Sequence, residues 1–402
     1  MSWWRTYGVV RWLGLTSVLA TAGLMAWAGY GWYQDRQIQQ TAAACELARK
    51  SGNWKQLEQL ASRLRTLQPG SGNPVLFLAE AAETQGQIQK AADLLGEFPE
   101  SDVRAPLVLA QKANLEWGKL NRPFDALKTS DNLIRLRPRT ISTHARIVSF
   151  YAMTLQRPEL LAAIRRAIEM DAEPREAYTY LMMADSLTFS NAVSLNSFWK
   201  TSAADPTFFE ITIAVLTASD RTARTIAEPN PKNEAAEMEA RKEVEKLQVR
   251  YPSNRILLGF LLDRCLEEGN VQRAAELLGH VTSEDANDHL LWIHRGWYHT
   301  HQDEFEAAET CFQTALKLHP MSWLARREYA TLLRRQQKIA EAEKLLQLVV
   351  TARELRKELL KLSNAREITE ELVQRIANYS EACDDRLVYQ SLQKRLASTR
   401  QK

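Results

Sequence analysis

The chain has only four cysteines in 402 residues, Cys45, Cys265, Cys311 and Cys383, and no two of them form a CxxC pair. A disulfide framework or a cysteine zinc module is not what organises this protein. Glycine is scarce at 15 residues, which argues against a dinucleotide-binding domain with its Gly-rich turn. GxxxxGK[ST], GxSxG, HExxH and calcium-loop spacings are all missing. No stretch alternates apolar and polar residues with period two between turn signals, so a strand-built body is not expected. An excess of one charge is lacking too: 52 basic residues face 49 acidic ones, for a net charge of +3, and nothing points to a nucleic-acid surface. With 45% apolar and 25% charged residues, the composition is that of a folded protein, not a disordered one.

Long apolar runs are missing except at the start. "VVRWLGLTSVLATAGLMAWAGYGWY" carries no charge between Arg11 and Asp35. Trp12 to Trp32 corresponds to about 30 Å of helix, the thickness of a bilayer's hydrocarbon layer. Trp3, Trp4, Tyr7 and Trp12 flank one end and Trp27, Tyr30, Trp32 and Tyr33 the other, as interfacial girdles do. Residues 1–36 are thus expected to hold an N-terminal tail and one transmembrane helix, with Trp12, Trp27, Tyr30 and Trp32 as its girdle. Arg5 and Arg11 precede the span without an acid, which favours a cytoplasmic N-terminus and an exported body. Ala26-Trp27-Ala28 has the form of a signal-peptidase site, but the length of the run and its second girdle favour a retained anchor.

The rest of the chain repeats. Leu57, Ala91, Ala126, Leu160, Ser194, Ala240, Ala274, Ala308 and Ala342 follow one another at steps of 34 residues, apart from one step of 35 and one of 46. Four residues after the last four stand Val244, Leu278, Phe312 and Leu346, and three further on Leu247, Val281, Ala315 and Val349. Four-then-three spacing keeps these positions on one helical face. Pro69, Pro138, Pro206, Pro252 and Pro320 fall where each such helix should stop, and Gly52, Gly86 and Gly269 fall in the turns between paired helices. A two-helix unit of this length cannot bury its apolar stripe alone, so neighbours must stack.

In "FEAAETCFQTALKLHP" and the preceding helix, Trp292, Gly296, Ala308, Phe312, Ala315 and Pro320 occupy the positions that define the tetratricopeptide repeat, and the chain resembles that family. Arg295 and His299 stand where the family usually has Leu and Tyr. The resemblance implies an all-α protein: a right-handed α-solenoid of about nine helix pairs over residues 37–356, after one transmembrane helix. The polar stretch 219–233 reads as a 12-residue insertion inside the sixth pair. Beyond Val350 no proline arrives, and Leu355, Leu359 and Leu362 continue one stripe. Residues 357–402 are expected to be capping helices.

Six of the seven histidines lie between His280 and His319. His294 and His301 share a helical face, yet no carboxylate or thiol stands at ligand spacing beside them. They are read as polar surface; no metal, cofactor or catalytic residue is assigned. In the family, the fifth and ninth residues of each first helix tend to line the concave groove. Here they include Ile293 with Trp297, and Arg327 with Thr331. The Lys and Asn clamp of chaperone-tail receptors is absent. The expected partner groove is therefore Ile293, His294, Trp297, His301 and Arg327, with Trp297 as an aromatic anchor.

The expectation is a non-enzymatic, membrane-anchored scaffold that binds a protein or extended peptide, not nucleic acid, with an oligomeric state the residues leave open. One-anchor members of the family suggest the bacterial inner membrane, with the body on the periplasmic side and a role in envelope assembly. The alternative is a cytoplasm-facing regulatory adaptor like the anchored tetratricopeptide protein of lipopolysaccharide synthesis. That family's terminal module with paired CxxC motifs is absent from this chain.

Overall fold

The computed structural model describes residues 3–187, 189, 191–219 and 231–400; the side chains of residues 3–24, 26, 231–237, 399 and 400 lie outside that description. Among the described residues the chain is all helical. Twenty α-helices follow one another: α1 (Trp3–Lys50), α2 (Trp54–Leu67), α3 (Gly72–Thr84), α4 (Ile88–Gly96), α5 (Ala105–Asn114), α6 (Pro123–Leu136), α7 (Ile141–Met153), α8 (Arg157–Glu169), α9 (Glu176–Met183), α10 (Ala192–Lys200), α11 (Thr207–Ala218), α12 (Pro231–Arg250), α13 (Arg255–Glu268), α14 (Val271–Leu278), α15 (His289–His301), α16 (Phe305–Leu318), α17 (Trp323–Arg335), α18 (Ile339–Leu359), α19 (Glu370–Ala382) and α20 (Arg386–Arg400). Seven consecutive pairs pack together: α1 with α2, α3 with α4, α7 with α8, α11 with α12, α13 with α14, α15 with α16 and α17 with α18.

The 34-residue cadence of the sequence recurs in the backbone. Between paired helices one residue takes a left-handed conformation: Gly52, Gly86, Asn121, Leu155, Gly269, Asp303 and Gln337, with φ between 54° and 76°. Glycine adopts this conformation without a Cβ clash, so three of these turns are legible from sequence. At Leu155 and Gln337 the same turn is taken by residues that resist it, whereas Asn121 and Asp303 accept it more readily.

Most repeat positions are buried as their spacing requires, but Ser194 is exposed, because α10 buries Ala192, Asn196 and Trp199 instead, and Ala240, Leu278, Val281 and Leu346 are half-buried. Leu57, Ala91, Ala126, Leu160, Val244, Ala274, Ala308, Phe312, Ala315, Ala342 and Val349 all lie in the interior. In the best-formed unit, Leu290 and Ile293 of α15, Ala308, Phe312 and Ala315 of α16, and Leu324, Ala325 and Leu332 of α17 make one core cluster. Gly296 is needed there because the ring of Phe312 lies over it. A Cβ at position 296 would stand 2.7 Å from Phe312 Cε1. Gly296→Ala is expected to cost about 1–3 kcal/mol by overpacking, despite the better helix propensity of alanine, and thermal unfolding followed by circular dichroism measures it.

The chain divides into two compact units, Met1–Leu120 and Asn121–Lys402, and the division falls between α5 and α6. In the first unit, α1 is a single helix of 48 residues. It begins to pack at Thr41, Cys45 and Ala48, which are buried. Upstream, Met25, Trp27, Tyr30, Trp32 and Tyr33 are exposed. Among the described residues no helix is long and apolar enough to cross a membrane. The span expected over residues 12–32 falls largely where side chains are not described, Trp12 included.

The second unit departs from an even array. Helix α9 is short, and residues 184–191 separate it from α10, which packs on α7 and α11. The insertion expected at 219–233 lies mostly outside the described residues; its last residues, 231–233, already belong to α12. After α18, whose Leu355 and Leu359 are buried as expected, Leu362 lies beyond the helix end. The C-terminal helices do not simply extend the stack. Helix α20 packs on α8, and α18 on α9. Arg165 donates to both carboxylate oxygens of Asp385 at 3.2 and 2.7 Å, Tyr178 Oη and Ser391 Oγ lie 2.8 Å apart, and Thr179 Oγ1 donates to the Ala365 carbonyl at 3.1 Å. Every residue of α9 is buried as a result.

Candidate functional site

The residues nominated for a groove lie around α15 and α17, and their surroundings differ. Ile293 is fully buried in the core cluster around Phe312, so it packs between repeats. His294 is also buried, and its Nε2 lies 2.9 Å from Asp263 Oδ1 on α13. That carboxylate comes from the preceding pair, which is why no ligand spacing within α15 shows it. Trp297 is 6% exposed, and its ring lies 4.4 Å from that of His301. His301 is exposed at the end of α15, where its Nδ1 donates to the Trp297 carbonyl at 2.9 Å. Arg327 is half-buried; its Nε donates to Glu328 at 2.6 Å and its guanidinium lies 5.3 Å from the Trp323 ring centre. His294 and His301 are therefore not brought together, and only His301 and Arg327 offer their polar groups to solvent.

A second group was not foreseen from sequence. Asp185 follows α9 within "LMMADSL", His289 is the first residue of α15, and His319 is the residue after α16, just before Pro320. All three are buried, and one donor atom from each lies within 4.8 Å of the others. Helix-end chemistry holds them in place. Asp288 caps α15 by accepting from the Leu290 amide at 3.0 Å, and Ser322 caps α17 by accepting from the Ala325 amide at 3.1 Å. His289 Nε2 donates to Asp185 Oδ1 at 2.9 Å, while the Ser322 hydroxyl and the Leu324 amide both donate to Oδ2 at 3.1 Å. The rings of His289 and His319 meet edge-to-face at 4.9 Å.

A wholly buried carboxylate is costly unless its oxygens are satisfied. Burial by itself raises the Asp185 carboxyl, but the hydrogen bonds from His289 and Leu324 outweigh it and hold the group well below the usual carboxylate range. Burial also pushes the His319 imidazole down, to about 3, so this ring is uncharged at neutral pH. Ser322 donates to the carboxylate, not to an imidazole, and is fully buried, so the trio is not arranged as nucleophile, base and orienter. The sequence signal for this group is an acid inside an otherwise apolar run. Its partners stand 104 residues or more away along the chain, too far for any motif to join them.

Residues 295–355 match the profile of the tetratricopeptide repeat, and residues 1–106 that of a tetratricopeptide repeat-like domain. Neither describes a catalytic family. No curated protein sequence matches this chain. Similar solved structures include the APC/C hetero-tetramer Cut9–Hcn1, at 13% identity and a TM-score of 0.33, covering 88% of this chain and 78% of that one. Yeast Tom70 is similar at 12% identity and a TM-score of 0.27, covering 88% and 85%, and the human IFIT1 dimer with PPP-AAAA at 16% and 0.31, covering 86% and 81%. None of these carries a functional argument for this chain. Tetratricopeptide-repeat profiles thus match residues 1–106 and 295–355, and the described residues have a helical-repeat fold.

Proposed function

We propose that this protein is a membrane-tethered scaffold whose repeat body binds a protein or an extended peptide, at the bacterial inner membrane with the body on the periplasmic side. The observation that carries the tether is the exposure of Met25, Trp27, Tyr30, Trp32 and Tyr33 on α1, directly before the helix begins to pack. Solvent-exposed aromatic rings at the end of an uncharged run suit a lipid–water interface. Tethering raises the local concentration of whatever the body holds, which is consistent with a part in envelope assembly. The partner surface includes the accessible side chains of His301, beside the Trp297 ring, and of Arg327.

Two measurements test this reading. The full-length chain is expected to sediment with membranes and to resist alkaline carbonate, and a phosphatase fused at its C-terminus should be active. A protein recovered entirely in the soluble fraction overturns the tether. An inactive phosphatase with a fluorescent fusion in its place favours the cytoplasm-facing adaptor. A photo-crosslinking residue at position 301 or 327 should capture a defined partner that the same residue at Gln313 does not; equal capture removes these residues from the surface.

A further inference from the structure

The buried group of Asp185, His289 and His319 has features that internal packing leaves unexplained. The Nδ1 atoms of both rings are buried without a hydrogen-bond partner among the described residues. A ring nitrogen that loses water and gains nothing is costly, and here two such atoms lie in one cluster. The carboxylate is fully enclosed, and its partners among the described residues are His289, Ser322 and Leu324. Arg326 and Arg356 are nearby but are held elsewhere: Arg326 Nη1 donates to the Ser322 carbonyl at 3.0 Å, and Arg356 donates to the Ser186 hydroxyl. Neither guanidinium bonds the carboxylate.

We propose that Asp185, His289 and His319 form a divalent metal site of zinc type, which ties the end of α9 to the ends of α15 and α16. Two imidazole nitrogens and one carboxylate oxygen are a donor set that zinc takes. The donor atoms lie within 4.8 Å of one another, and bonds of about 2.0–2.1 Å require side-chain movement only of the order of 1 Å to close on an ion. Coordination gives a ring nitrogen the partner that the protein does not provide. The Ser322 hydroxyl or a water fills the fourth position. All three ligands stand at or just beyond helix ends, and Asp288 caps the helix that begins at His289. The ion acts as a structural cross-link between segments separated by more than a hundred residues, because all three ligand side chains are buried.

The test uses the full-length chain, stripped with chelator and titrated with zinc alone. One equivalent is expected to bind with a dissociation constant below about 1 μM and to raise the melting temperature by about 5 °C. Cobalt in place of zinc should give the visible absorption of a four-coordinate ion. His319→Ala and Asp185→Asn should lose the stoichiometric ion, and His301→Ala, which removes an exposed histidine, should keep it. Absence of a stoichiometric ion in the unaltered chain overturns the proposal, as does zinc retained in full by His319→Ala. The cobalt spectrum and the titration of the unaltered chain decide the matter even where a variant fails to fold.

Discussion

Phe312→Ala will destabilise the protein by about 3–5 kcal/mol, as expected when a fully enclosed ring is removed from a well-packed core. The ring has no solvent exposure, packs over Gly296 and stacks on Tyr329 with ring centres 5.8 Å apart. It therefore joins α15, α16 and α17 at one point. Collapse around the missing ring is limited, because the helices on all sides are fixed by the neighbouring pairs. Chemical denaturation of the second unit's transition measures the loss, with Gln313→Ala as a control on the exposed side of the same helix. A loss below 1 kcal/mol would mean that the repeats do not share one interior at this point.

Asp385→Ala should be comparably damaging, at about 3–5 kcal/mol, for an electrostatic reason. Asp385 is almost wholly buried at the start of α20 and receives two hydrogen bonds from Arg165 of α8, which is itself only a quarter exposed. Removing the carboxylate leaves a half-buried guanidinium without its partner and also weakens the start of α20, where the Val388 amide lies 3.4 Å from Asp385 Oδ1. The first sign should be loosening of the C-terminal helices: limited proteolysis is expected to cut between 360 and 385 in the variant well before it cuts the unaltered chain. Equal digestion of the two would show that α20 is held by its apolar residues alone.

The second helices, α10 apart, were legible from sequence because their demands are local. A small residue, a ring and another small residue must share one face, and the proline must follow at a set distance. The first helices were less legible, since their burial depends on which neighbour covers them. Ile293 illustrates the difference. Its place in the helix marks a groove position in an open array, but the closeness of α16 and α17 makes it interior. Thr179 and Met183 on α9 hold equivalent positions and are covered by the chain's own C-terminal region. No local pattern announces that return of α20 onto α8, because it is written in single pairs such as Arg165 with Asp385, 220 residues apart. Asp185 was missed for the same reason, and it is the most consequential omission.

The unbroken course of α1 from Trp3 to Lys50 carries a geometric consequence. The helix has no hinge where its exposed aromatic stretch gives way to the part that packs on α2, so the two share one rotational register. Each residue along a helix turns the direction of everything after it by about 100° and advances it by about 1.5 Å. One residue added between Tyr33 and Thr41 would swing the first unit to a different azimuth about the stalk, whereas seven added residues would restore its heading at a greater height. The length of that short polar stretch, more than its chemistry, decides which way the first repeats look.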